Sequence, residues 1–164
     1  MIMKSSGKKI VATNRQARRE FEIFDTIEAG MVLFGSEVKS LRNAQAQIAE
    51  AYCRIHDGEI WLNSCHISRY DHASAAFAHE PDRPKKLLLH KKEIFRLQSQ
   101  IDQKGLSLIP LALYFKNGRA KVELGLARRK NLIDKRRTIA QREADREAAR
   151  AIAKQNKQGH GFTD

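Results

Sequence analysis

The stretch LSLIPLALYFKNGRAKVELGL, residues 106–126, decides the fold class. Residues 106–115 are apolar and rich in strand formers, and residues 119–126 alternate. Asn117-Gly118 between them can take the positive φ that a two-residue hairpin turn requires. Within the second strand Lys121 and Glu123 share one face, while Val122 and Leu124 share the other. One face is therefore written for a core and the other for solvent.

The same signal recurs upstream. Asp57-Gly58 separates two expected strands, 47–56 and 59–67. Phe21, Ile23 and Ile27 alternate with polar residues, which reads as a half-buried strand. A short apolar run, 31–34, follows Gly30, and Gly35-Ser36 then provides a break and an N-cap for a short helix through Arg42. Residues 71–84, with Pro81 and Pro84, read as a loop. Residues 85–103 change period and predict an amphipathic helix ended by Gly105. Several short antiparallel strands in a chain this long predict a mainly β fold with short α-helices, closed into a small barrel.

The 164 residues suit one domain with tails. There are 31 Lys+Arg against 19 Asp+Glu, a formal net charge of +12, which calls for a polyanionic partner. No apolar run reaches the length of about 20 residues that spans a bilayer, and residues 1–16 lack the apolar centre of a signal peptide, so a cytoplasmic protein is expected. The organisation read from these patterns is a basic, flexible arm at 1–17, a β domain at 18–127, and a basic tail at 128–164. The tail's Ala/Arg/Glu content favours helix but offers no wide apolar face, so alone it should fray or be disordered.

Catalytic and metal signatures are missing. The chain has no glycine-rich phosphate loop, no HExxH and no GxSxG, and Glu28, Glu37 and Glu50 read as surface or capping acids. Cys53 and Cys65 are not spaced as a zinc or redox pair and read as buried thiols in a reducing compartment. No cofactor, metal or catalytic residue is expected. Lys and Arg neutralise phosphates and release counterions, which gives affinity without sequence preference; basicity alone does not separate RNA from DNA. His90 beside Lys91 and Lys92 is either a phosphate contact or a solvated residue. Trp61, Tyr70, Phe77 and Tyr114 are the aromatics that could stack on bases, but Trp61 and Tyr114 sit in apolar strands and read as core.

Taken in order, the strings NRQARREFEI (14–23), EAGMVLFGSEVKSLRN (28–43), AQIAEAYCRIHDGEIWL (46–62), HISRY (66–70), EPDRPKKLLLHKKEI (80–94), KGLSLIPLALYFKNGRAKVELGLAR (104–128) and DKR (134–136) closely resemble the small protein B (SsrA-binding protein) family. The resemblance is collinear and spans nearly the whole chain. It implies an oligonucleotide-binding (OB-fold-like) closed antiparallel β-barrel with flanking helices. It also implies a non-enzymatic role in trans-translation. Family members bind the tRNA-like domain of transfer-messenger RNA and deliver it with elongation factor Tu to stalled ribosomes, where they stand in for the missing anticodon arm. Their tail is disordered alone and becomes helical in the empty messenger channel. By motif position, Glu28 of EAG, Leu88 of KLLLH and Lys121 of AKVELG are the implied RNA contacts, with Asn14, Arg15 and Arg42 in the same surface. Read from the residues alone, Leu88 would be core. Asp134, Lys135 and Arg136 match the tail motif that meets the small-subunit decoding centre. Relatives carry Gly-Lys-Lys shortly before that motif and often a ring side chain directly before it. This chain has Arg129-Lys130-Asn131 and Ile133.

A generic phosphate-neutralising protein and an RNA-modifying enzyme on a small barrel are the rival readings. The first predicts no preference among RNAs. The second needs a clustered acid, base or nucleophile that the sequence does not present.

Overall fold

The computed structural model describes residues 7–70, 79–130 and 132–159, with side chains for all of these except 132–135 and 156–159. The chain divides into two units, Met1–Arg129 and Lys130–Asp164. The first is mainly β.

The hairpin read first from sequence is its spine. β8 (Ser107–Lys116) and β9 (Arg119–Arg129) turn at Asn117 (φ 52°) and Gly118 (φ 79°), so a two-residue turn fixes Lys116 opposite Arg119 and Tyr114 opposite Lys121. The ladder shifts register between Pro110 and Ala112. A bulge is where a proline without an N–H is tolerated inside a strand. β2 (Phe21–Met31) runs antiparallel to the other edge of β9, with a second bulge between Ile23 and Asp25.

The seven-stranded sheet has the order β1-β8-β4-β5-β7-β2-β9, and β8 also pairs with β9. β4 (Tyr52–His56) and β5 (Glu59–Asn63) form the second hairpin, with Asp57 at φ 51° and Gly58 at φ 74°. β3 (Ala46–Gln47) and β6 (His66–Ile67) form a separate two-stranded sheet. The expected strands 47–56 and 59–67 are therefore each broken, the second at Ser64, which sits at φ 57°.

Three other sequence readings need correction. The arm expected through residue 17 contains β1 (Lys8–Thr13), followed by the short helix α1 (Ala17–Glu20). β9 occupies one edge of β8; β1 takes the other from Ala112 to Lys116, supplying hydrogen-bond partners to backbone that would otherwise be unpaired. The helix expected over 85–103 starts late. Residues Lys85–Leu88 form strand β7, and α3 runs Lys91–Lys104, with His90 extended at its N-cap and Gly105 left-handed at its end. In β7 the Lys85 side chain is fully buried, and its Nζ donates to the carbonyls of Cys65 (2.6 Å) and Pro81 (3.2 Å). Only the assembled fold brings those two carbonyls together. Trp61, read as core, lies half-buried on the face opposite Ile60 and Leu62, both of which are fully buried.

Helix α2 (Gly35–Arg42) begins two residues earlier than Ser36 as cap would have it, with Phe34 at the N-cap. Its buried Glu37 accepts the Phe34 N–H at 2.7 Å and a bidentate grip from Arg83 (2.6 and 3.1 Å). Ser36 instead bonds His79, which donates its other ring nitrogen to the Ile67 carbonyl. The expected loop 71–84 is irregular from 79 to 84; its remainder, Phe77 included, lies outside the described residues.

The core on the inner face joins Ile60, Leu62, Leu87, Leu113, Val122 and Leu124 to Ile94 and Leu97 of α3. In the second unit, α4 spans Leu132–Gly159, and its described side chains are nearly all exposed. No helix among the described residues is long and apolar enough to cross a membrane.

Candidate nucleic-acid interface

Glu28, Leu88 and Lys121 are far apart in sequence but meet around one glycine. Gly30 of β2 pairs with Leu88 at the end of β7 on one side and with Lys121 of β9 on the other. A Cβ at Gly30 would lie 3.4 Å from the Leu88 Cβ and 3.8 Å from the Lys121 Nζ, so the missing side chain keeps the floor between them open. The groove there encloses about 350 Å³, lined by Glu28, Gly30, Leu88, Leu89, His90, Glu93 and Lys121. A second hollow of about 290 Å³ shares Gly30, Leu88 and Lys121 and extends to Phe115 and Arg119.

Leu88 is 54% exposed, which sets aside the core reading that its composition favoured. An apolar side chain presented beside an ammonium suits a ligand that is part ring or sugar and part phosphate. The N-terminus of α3 adds a positive dipole end without a side-chain cap beside exposed His90, a setting that attracts phosphate.

Glu28 is held rather than loose. Tyr114 donates its hydroxyl to Glu28 Oε2 at 2.5 Å, and Lys116 Nζ approaches the same oxygen at 3.5 Å. The Tyr114 hydrogen bond does most to hold the Glu28 carboxyl below its ordinary range; Lys116 and Lys121 add to it and partial burial opposes it. Burial first, and then the Glu28 carboxylate, push the Tyr114 phenol upward, so it stays a donor. Lys8 Nζ lies 4.1 Å from the centre of the Tyr114 ring. The outcome is an ionised acceptor surrounded by cations, chemistry that accepts hydrogen bonds from exocyclic base amines.

Tyr114, Lys116 and Gly30 were missed as members of this site. The signal was available, since the two-residue turn at 117–118 places Tyr114 directly opposite Lys121. The remaining expected contacts divide. Arg42 is exposed and stacks on Phe115 (4.9 Å), which lines the adjoining hollow. Asn14 and Arg15 do not line the groove. Asn14 donates to the Pro110 carbonyl (3.1 Å), while its buried Oδ1 has no partner among the described residues. Arg15 lines a different hollow with β1 and β3. Asp134 and Lys135 fall in the first turns of α4 with side chains outside the described residues, and Arg136 is exposed.

Residues 11–154 match the family model described as SmpB protein. This chain belongs to the SmpB family. It is 51% identical to the SsrA-binding protein of Acidothermus cellulolyticus over 97% of this chain and 99% of that protein. It is 54% identical to the SsrA-binding protein of Desulforudis audaxviator over 91% and 97% of the two chains. A solved structure described as "tmRNA-SmpB: a journey to the center of the bacterial ribosome" superposes with a TM-score of 0.62 at 47% identity, covering 74% of this chain and 85% of that one. Among the described residues of this SmpB-family chain, no group of three or more His, Cys, Asp or Glu could hold a metal ion. Cys53 and Cys65 are unbridged, and burial pushes the Cys65 thiol up to about 11.

Proposed function

We propose that the chain binds the tRNA-like domain of transfer-messenger RNA and helps deliver it to stalled ribosomes, acting in the cytoplasm without catalysis, cofactor, DNA or membrane. The observation that carries this reading is the convergence of Glu28, Leu88 and Lys121 on Gly30, in a member of a family whose relatives are named SsrA-binding proteins. Lys121 takes a phosphate, Leu88 lies against a sugar or base, and Glu28, fixed by Tyr114, accepts from base amino groups. The circuit of pairings from β8 through β4, β5, β7, β2 and β9 back to β8 acts as an OB-type closed barrel, presenting the groove on its outer surface. Arg42 extends the RNA surface, and Asn14 and Arg15 contribute from its β1 side.

The tail, through Asp134, Lys135 and Arg136, engages the decoding centre of the small subunit and lies helical in the empty messenger channel. Its polar circumference makes the helix depend on that surface for stability. Elongation factor Tu is reached through the RNA.

The test is competition binding near physiological salt, with the tRNA-like domain as ligand and excess ordinary tRNA as competitor. Binding that survives the competitor is the expected result. Displacement by ordinary tRNA would reduce the protein to a generic basic RNA binder.

A further inference from the structure

A second groove, sharing no residue with the first, lies between α3 and the strands β2 and β9. It encloses about 290 Å³ and is lined by Phe24, Asp25, Arg96, Gln100, Lys104 and Arg128 over an apolar floor of Leu97, Leu106 and Leu126. The bulge between Ile23 and Asp25 sets Phe24 out of the ladder, and the residue is 50% exposed. Beneath it Leu97, Leu106 and Leu126 are 2%, 6% and 4% exposed, so the ring lies over a packed apolar floor and keeps about half of its own surface open.

The charge is equally uncommitted. Arg128 stacks on Phe24 with its guanidinium 5.5 Å from the ring centre and donates to the Lys104 carbonyl at 3.3 Å, and no ion pair to a carboxylate holds it among the described residues. Arg96 meets Asp25 at 3.6 Å, an exposed pair that contributes little. Arg96, Gln100 and Lys104 are spaced i, i+4, i+8, so one helix face presents a row of donors along the groove. Three cations against one acid, flanking a ring and a guanidinium plane, match a flat base with its phosphates.

We propose that this groove is a second RNA contact that holds an unpaired nucleotide, the base stacked on Phe24 and Arg128 and the phosphates on Arg96 and Lys104. The inference rests on the chain being an RNA binder but not on which RNA the first groove takes.

The test uses the full chain and two probes of about ten nucleotides, an oligoadenylate and an abasic oligomer of the same length. The wild-type protein should bind the oligoadenylate on the order of tenfold more tightly than the abasic strand. Phe24→Ala should erase that difference, Phe24→Trp should keep it, and Lys121→Ala should leave it unchanged. Binding of the tRNA-like domain, measured in parallel, reports on the first groove; its loss would sink the proposed function and leave the oligomer result to stand by itself. Equal affinity of the wild type for both strands, or a Phe24→Ala protein that still prefers the adenylate, would overturn the proposal. So would an oligoglutamate that competes as well as the adenylate, because the groove would then read charge without a base.

Discussion

Replacing Tyr114 with Phe removes the hydroxyl that donates to Glu28 at 2.5 Å and keeps the ring beneath Lys8. A hydrogen bond to an ionised group contributes about 1.5–3 kcal/mol. The Glu28 side chain is 37% exposed, so water replaces part of what the hydroxyl supplied, and the expected cost falls to about 1–1.5 kcal/mol. With urea slopes of about 1–3 kcal/mol/M for small domains, the unfolding midpoint should drop by roughly 0.5–1 M. Glu28→Gln and the double variant complete a cycle that isolates the pair from other effects of either change.

Acid gives an independent reading of the same contact. Because the folded state holds the Glu28 carboxyl below its ordinary value of 4.5, the contribution is fully present at neutral pH. It is lost as pH falls through the lower, folded-state value. The difference between wild type and Tyr114→Phe should therefore be constant from pH 7 to about 5 and shrink below that. A coupling under about 0.3 kcal/mol, or a difference that stays constant into acid, would refute the claim that Tyr114 fixes an ionised Glu28.

Gly30→Ala should leave thermal stability unchanged or slightly raised, since its Cβ meets only ordinary contacts. The added methyl fills the groove floor, however, and affinity for the tRNA-like domain should fall by about 1 kcal/mol, roughly fivefold, in a titration. Gly125→Ala should do the reverse: its Cβ would come within 3.0 Å of Leu111 Cδ1, which predicts a loss of about 1–3 kcal/mol in urea unfolding, relieved by Leu111→Ala in the double variant. A chain ending at Arg129, the last residue of β9, should bind the tRNA-like domain nearly as well as the full protein yet fail to support peptide tagging on stalled ribosomes in a reconstituted translation assay; tagging that persists would refute the assigned role of the tail.

Elements whose information is local were legible. Asn117-Gly118 and Asp57-Gly58 specify their turns because few residues tolerate positive φ, and Gly105 ends α3 for the same reason. The alternation of Val122 and Leu124 against Lys121 and Glu123 named the inner face of β9 correctly. Where a partner elsewhere in the chain decides the outcome, local reading failed. Lys86 and Leu88 extend a helical pattern as well as a strand, and it is pairing with Trp61 and Gly30 that makes them β7. Trp61 carries the composition of a core residue, but its place between two buried neighbours in a strand turns it to the opposite face.

The site shows the same division. Charge and motif order pointed to a polyanion and to Glu28, Leu88 and Lys121, because those properties are written along the chain. Their meeting around Gly30, the exposure of Leu88 and the grip of Tyr114 on Glu28 depend on three strands brought side by side, with residues 86 positions apart in hydrogen-bond contact. Sequence by itself determined the turns, the sign of the charge and the resemblance to a family. Tertiary structure decided which cations share a groove and which acid stays ionised, because distance and burial between remote residues exist only once the sheet is assembled.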